Sequence, residues 1–129
     1  MKIVQDQALL VTTAHAEKIE TAISKCRVVK THDNGLQDIL VHWDLDNAQK
    51  LRNLGIKNVP SPINRDYKWP GIYKPFDHQK KTAEFMTLHK RGFVFNEQGT
   101  GKTMSASWAF DYLMTEGYVN RVLIVCPLS

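Results

Sequence analysis

The chain has 129 residues, enough for one ordinary domain or for a small domain and part of a second. Hydrophobic residues make up 43% and charged residues 23%, a composition that excludes a disordered polyelectrolyte. The net charge of +4 is spread evenly over the two halves without a basic block, so charge permits a polyanionic partner but does not by itself identify one. No apolar run approaches the roughly 18 residues of a membrane span, and the start Met1-Lys2-Ile3-Val4-Gln5-Asp6 lacks the apolar core of a signal peptide. The expectation is a protein without membrane contact that stays in the cytoplasm where it is made.

In chain order, residues 8–12 form a short apolar run suited to a strand. Ala16, Ile19, Ile23 and Cys26 then recur at helical spacing, predicting a helix over 15–26. Residues 27–31 and 37–43 predict two strands joined at Asp33-Asn34-Gly35, whose Asn-Gly pair is a strong hairpin signal. Asp44 is placed to cap a helix carrying Leu45, Ala48, Leu51 and Leu54, with Gly55 to end it. Asp44 and Asp46 read as helix-start residues rather than a carboxylate metal pair, and Trp43 reads as core. The order β-α-β-β-α defines a small α+β unit over 1–56.

Four of the five prolines, Pro60, Pro62, Pro70 and Pro75, fall within 57–76. Proline lacks the backbone donor and disfavours helix before it, so this stretch predicts an irregular connection. Tyr67, Trp69, Tyr73 and Phe76 are costly to leave in water, which sets the connection against a surface of the second domain.

From 77 onward, Asp77 predicts the cap of a helix reaching about Lys90. Residues 92–96 predict a buried strand, and 102–115 a helix with Ala106, Ala109, Phe110 and Leu113 on one face. Gly117 ends it, and 121–126 form an apolar run of buried-strand type. Strand, helix and strand of this kind imply a parallel βαβ unit over 77–129. Cys26 and Cys126 have no metal-type spacing and read as buried, reduced thiols; the five histidines form no ligand pattern.

One segment carries chemistry. Asn96-Glu97-Gln98-Gly99-Thr100-Gly101-Lys102-Thr103 comes directly after the first of these strands and opens a helix. The generic phosphate loop is G-x-x-x-x-G-K-[ST]; here Asn96 stands in place of the first glycine and the rest is intact. Gly99 and Gly101 let the backbone curl so that its N–H groups point at phosphate oxygens, and the helix N-terminus adds partial positive charge. Lys102 reaches the β- and γ-phosphates, and the Thr103 hydroxyl is the Mg²⁺ ligand.

The core Gln98-Gly99-Thr100-Gly101-Lys102-Thr103 resembles motif I of superfamily 2 helicases. Upstream, Lys74-Pro75-Phe76-Asp77-His78-Gln79 resembles the segment of Swi/Snf-like translocases whose glutamine reads adenine, a role the resemblance gives to Gln79. The end, Leu123-Ile124-Val125-Cys126-Pro127-Leu128-Ser129, resembles motif Ia, which implies contact of Pro127, Leu128 and Ser129 with the nucleic-acid backbone. The stretch from Trp69 onward is most similar to helicases of tailed bacteriophages. That implies the start of a RecA-like parallel sheet, ATP and Mg²⁺ as cofactors, DNA as partner and the host cytoplasm as location.

Residues 1–56, with Val41-His42-Trp43-Asp44 leading into a helix, resemble the HARP-type module of annealing helicases, which grips branched or forked DNA. The family also needs an acidic Walker B pair and a second RecA-like domain. Asp111 and Glu116 are not placed to be that pair, so the expectation is the amino-terminal portion of a longer enzyme, inactive alone. Two other readings of the same residues stay open: a non-catalytic binding module with an incomplete phosphate-loop half, and a phosphate-loop NTPase with no nucleic-acid role.

Overall fold

The computed structural model describes residues 1–126. It is a mixed α/β chain with one four-stranded antiparallel sheet and five helices among these residues. It divides into two compact units, Met1–Arg65 and the remainder from Asp66. The boundary falls inside the proline-rich stretch 57–76.

In the first unit the elements are β1 (Lys2–Val4), β2 (Ala8–Thr13), α1 (Ala16–Ala22), β3 (Cys26–Thr31), β4 (Gln37–His42), α2 (Leu45–Asn53) and the short α3 (Ile63–Asp66). The strand order is β1-β2-β4-β3. Register pairs buried residue with buried residue: Leu9 lies opposite Val41, and Val11 opposite Ile39. The pairing thus places one apolar row of these strands on the core face. Ala16 and Ile19 from α1, Ile23, Trp43, the α2 residues Leu45, Ala48 and Leu51, and Val59 and Ile63 are buried with them.

The Asn34-Gly35 turn forms as its chemistry requires. Gly35 has φ +81, its N–H donates to the His32 carbonyl at 3.0 Å, and the Leu36 N–H donates to the Asn34 side chain at 3.1 Å. Asp44 caps α2 by accepting from the Asn47 N–H at 2.8 Å, and Asp46 pairs with Lys50 at 2.7 Å. Both carboxylates serve the helix. Trp43 is 4% exposed; its indole N–H donates to the Pro60 carbonyl at 2.9 Å, and the Arg65 guanidinium lies 4.8 Å from its ring centre.

Several expectations need correction. α1 is shorter than the span 15–26. Ile23 is already extended (φ −129, ψ 111) although buried, and Cys26 begins β3, so an apolar spacing that continues through a strand reads as a longer helix. β1 and α3 have no counterpart in the sequence reading. The β1–β2 turn uses Gln5 and Asp6 at φ +49 and +53, left-handed positions that glycine or asparagine normally signals. The Cys26 thiol is only half-buried, donates to the Ile23 carbonyl at 2.9 Å, and is raised in pKa by burial and by the Glu20 charge.

The second unit contains α4 (Asp77–Leu88) and α5 (Lys102–Thr115). Its aromatic connection packs as expected: the Tyr67 ring meets Trp69 edge-on at 5.2 Å and Tyr112 at 5.9 Å, and Trp69 meets Trp108 at 5.5 Å. The buried face of α5 is Ser105, Trp108, Ala109 and Tyr112, one position away from the face read from Ala106 and Phe110. The large rings facing Tyr67 and Trp69 set that rotation. The expected strands at 92–96 and 121–126 carry no sheet pairing, and no parallel sheet occurs among the described residues. A parallel strand is held by neighbours on both sides and by layers on both faces. Phe93, Phe95, Leu123 and Val125 are instead exposed, as is Cys126, against the expectation of a buried thiol.

Two measurements check this packing. Asp44→Ala removes the α2 cap and lowers unfolding stability by about 1 kcal/mol in urea titration, whereas Asp44→Asn retains most of it. Asp38 accepts from the Thr12 hydroxyl at 2.6 Å and lies 2.9 Å from His32 Nε2, contacts that hold its carboxyl below the ordinary value of 3.8. A folded-state pKa depressed in this way gives stability that is present above pH 3.8 and lost as pH falls through the lower folded value. Acid titration of wild type therefore falls more steeply below pH 3.8 than that of Asp38→Asn.

Candidate functional site

The loop ahead of α5 takes its shape from two glycines. Gly99 has φ +75, and Gly101, the N-cap of α5, has φ +74 and ψ 33. The left-handed region costs other residues about 1–2 kcal/mol each, so both positions require glycine. The N–H groups of the first turn of α5 have no carbonyl partner within the helix, and the positive end of its dipole lies there.

Side chains brace the loop from inside. The Lys102 ammonium donates to the carbonyls of Asn96 and Glu97, each at 2.8 Å. The Thr100 hydroxyl also donates to the Glu97 carbonyl at 2.8 Å, and the Ser105 hydroxyl to the Gly101 carbonyl at 3.2 Å. An ammonium has three donors, so two are engaged with carbonyls and one remains for an incoming oxygen.

α4 supplies the second half of the site. The expected cap Asp77 is instead the first helical residue. The N-cap is Phe76, which is extended (φ −70, ψ 157). Phe76 has no acceptor in its side chain; the Gln79 amide oxygen folds back and accepts from the Phe76 N–H at 3.0 Å. The other end of the same amide points at the loop ahead of α5, with Gln79 Nε2 3.5 Å from the Thr100 carbonyl. His78 Nε2 donates to the same carbonyl at 3.1 Å. Gln79 lies so close to Gly101 that a β-carbon there would collide with its amide nitrogen.

Beside Gln79 is a cavity of about 330 Å³, lined among others by Tyr73, Lys74, Phe76, Met104 and Trp108. Its walls are mainly apolar and aromatic, with the Gln79 amide as the neutral polar group and Lys74 as the charged one, a composition suited to a planar heterocycle. Trp108 is fixed by its indole N–H, which donates to the Pro70 carbonyl at 3.4 Å, and by Trp69. The Tyr67 hydroxyl donates to Asp111 at 2.6 Å; its phenol is pushed well above the usual range by burial first and by this carboxylate second.

The structure thus brings Gln79, Thr100 and Gly101 together, with Lys102 across the same loop. Gln98 and Thr103 are exposed; the Thr103 hydroxyl is open to solvent at the first turn of α5, where a hard cation bridging to phosphate oxygens fits an oxygen ligand. Among the described residues no three His, Cys, Asp or Glu side chains gather into a metal site. Pro127, Leu128 and Ser129 lie outside the described residues. Sequence reasoning missed Met104 and Trp108 as cavity walls. Their i, i+4 spacing, which puts them on one side of α5, was the available signal.

No protein-family model matches this chain, and neither the curated proteins nor the solved structures give a match.

Gly99 and Gly101 can be told apart experimentally. Nothing lies within 4 Å of a β-carbon at Gly99, so Gly99→Ala costs only the backbone conformation, about 1–2 kcal/mol by thermal unfolding. Gly101→Ala carries a similar cost and also displaces the flexible end of Gln79. The side-chain amide resonances of Gln79 shift in NMR spectra of Gly101→Ala and stay in place in Gly99→Ala.

Proposed function

We propose that this chain binds ATP, with Mg²⁺, and that it forms the ATP-holding part of a DNA helicase or translocase of superfamily 2. One observation carries the first part. Gln79 and the loop over 97–103, some twenty residues apart in sequence, meet at the Thr100 carbonyl and Gly101, with an aromatic cavity against the glutamine. A purine in that cavity and a triphosphate on the loop would be adjacent parts of one nucleotide.

Gln79 has capacity for the base. Its oxygen has a second lone pair beyond the Phe76 N–H, and its nitrogen a second hydrogen beyond the Thr100 carbonyl. Those two sites complement the amino group and ring nitrogen of adenine; guanine presents an acceptor where adenine presents the amino donor. The triphosphate would draw Lys102 from the Asn96 and Glu97 carbonyls onto its oxygens, an exchange favoured by charge. Thr103 would contribute its hydroxyl to the cation, which neutralises charge on the phosphates.

The motor assignment rests on the motifs read from the sequence. In it, segments 92–96 and 121–126 are strands of a RecA-like parallel sheet. Their exposed apolar side chains support this, because they are the kind such a sheet covers. Residues 127–129 would touch the DNA backbone, and the amino-terminal unit would recognise branched or forked DNA. Hydrolysis would require an acidic pair and a second RecA-like domain, neither of which is among the residues assigned a role.

Titration of a fluorescent N-methylanthraniloyl ATP analogue with Mg²⁺ tests the reading. Lys102→Ala is expected to weaken binding by roughly ten- to hundredfold, the scale of one charge-assisted contact of about 1.5–3 kcal/mol. Gln79→Ala is expected to bring ATP and GTP to within about twofold in competition. Equal affinity of wild type and Lys102→Ala would overturn nucleotide binding by this loop.

A further inference from the structure

Asn96 departs from the generic phosphate loop, and its side chain shows what the departure supplies. Asn96 Nδ2 donates to the Thr82 hydroxyl oxygen at 3.0 Å. Thr82, itself 8% exposed, donates its proton to the His78 carbonyl at 2.8 Å. His78 then reaches the far side of the loop, with Nε2 3.1 Å from the Thr100 carbonyl. Residues 78 and 82 are one helical turn apart, so a single turn of α4 is tied to both ends of the loop that Lys102 spans. A glycine at 96 has no side chain with which to make the first of these contacts.

We propose that Asn96, Thr82 and His78 form a latch in which Asn96 and Thr82 are positioning residues: they hold the empty loop in its binding shape before nucleotide arrives. The proposal rests on the reading of 97–103 as a phosphate loop. The Asn96 amide replaces the conformational freedom of the usual first glycine with a tether, and the tether is possible only because Thr82 is aimed at it from α4. The Thr82 hydroxyl is used twice, as acceptor from Asn96 and donor to His78, so its chemistry rather than its volume is the requirement. Pre-shaping lowers the ordering cost of binding, so the latch acts on affinity and on loop mobility together.

The test uses the full chain and three variants: Thr82→Val, which keeps the shape and loses the hydroxyl, Thr82→Ser, which keeps the hydroxyl, and Asn96→Gly. Amide hydrogen exchange is measured over 97–103 without nucleotide, with the interiors of α4 and α5 as internal controls, and affinity is read with the fluorescent ATP analogue. Thr82→Val and Asn96→Gly are expected to speed loop exchange about tenfold, leave the helix interiors unchanged and weaken the analogue by a similar factor. Thr82→Ser is expected to stay within about twofold of wild type in both readouts. Wild-type exchange over 97–103 in Thr82→Val or in Asn96→Gly would overturn the latch, as would a loss in Thr82→Ser equal to that in Thr82→Val. Should wild type bind the analogue without dependence on Lys102, the ATP reading fails, and the exchange measurements still decide the latch.

Discussion

The Thr100 carbonyl is the point on which the candidate site depends. His78 and Gln79, neighbours in the first turn of α4, both direct ring or amide nitrogen at it. That convergence fixes the distance between a helix start and a glycine loop that the chain alone leaves unrelated. It also explains why Gly101 must lack a side chain twice over: its backbone is left-handed, and the space a β-carbon would take is filled by Gln79. The loop is thus bounded on one side by α4 and braced on the other by Lys102, whose ammonium donates to the Asn96 and Glu97 carbonyls.

Legibility differed between the two units for a physical reason. In the first unit the signals are local and agree with each other: an Asn-Gly turn, an aspartate cap and an apolar run whose Leu9 pairs with Val41 in the sheet. Where local chemistry was silent, the reading failed. The β1–β2 turn is built from Gln5 and Asp6 without glycine, and α3 begins after Pro62 within a stretch whose prolines argue for irregular backbone. Three of the residues that fill the first core, Val59, Ser61 and Ile63, come from that same stretch.

In the second unit Gly99, Gly101 and α5 were legible because each is a short-range requirement of backbone geometry. The rotation of α5 was not, since it is decided by rings from the aromatic connection: Trp69 on Trp108, and Tyr67 on Tyr112. The cavity beside Gln79 was half legible for the same reason. Tyr73 and Phe76 announce an apolar surface, but Met104 and Trp108 meet it only once the helix has turned its Ser105 and Ala109 side inward. The cap of α4 obeys a similar logic. Aspartate is the better cap by propensity, yet Phe76 is the extended residue at the helix start and Gln79 is three residues on, so glutamine closes it.

The first unit has a sheet with protected edges, and the apolar segments of the second unit have no sheet to join among the described residues. The amino-terminal sheet ends on β1, only three residues long, and on β3, whose register jumps between Val28 and Lys30 and which presents Arg27 and Lys30. Short, bulged and charged edges resist further pairing. Segments 92–96 and 121–126 carry no such protection. Phe93 and Phe95 stack on each other at 5.8 Å while 83% and 90% exposed, and Leu123 and Val125 are comparably bare. Burying a side chain of this size contributes about 1.5–3 kcal/mol. The largest unmet contribution to stability in the second unit therefore lies on the two segments flanking the loop and α5. A sheet that covered them would hold the loop from the strand side as α4 now holds it from the helix side, and any ligand that favoured the same loop shape would then favour the sheet as well.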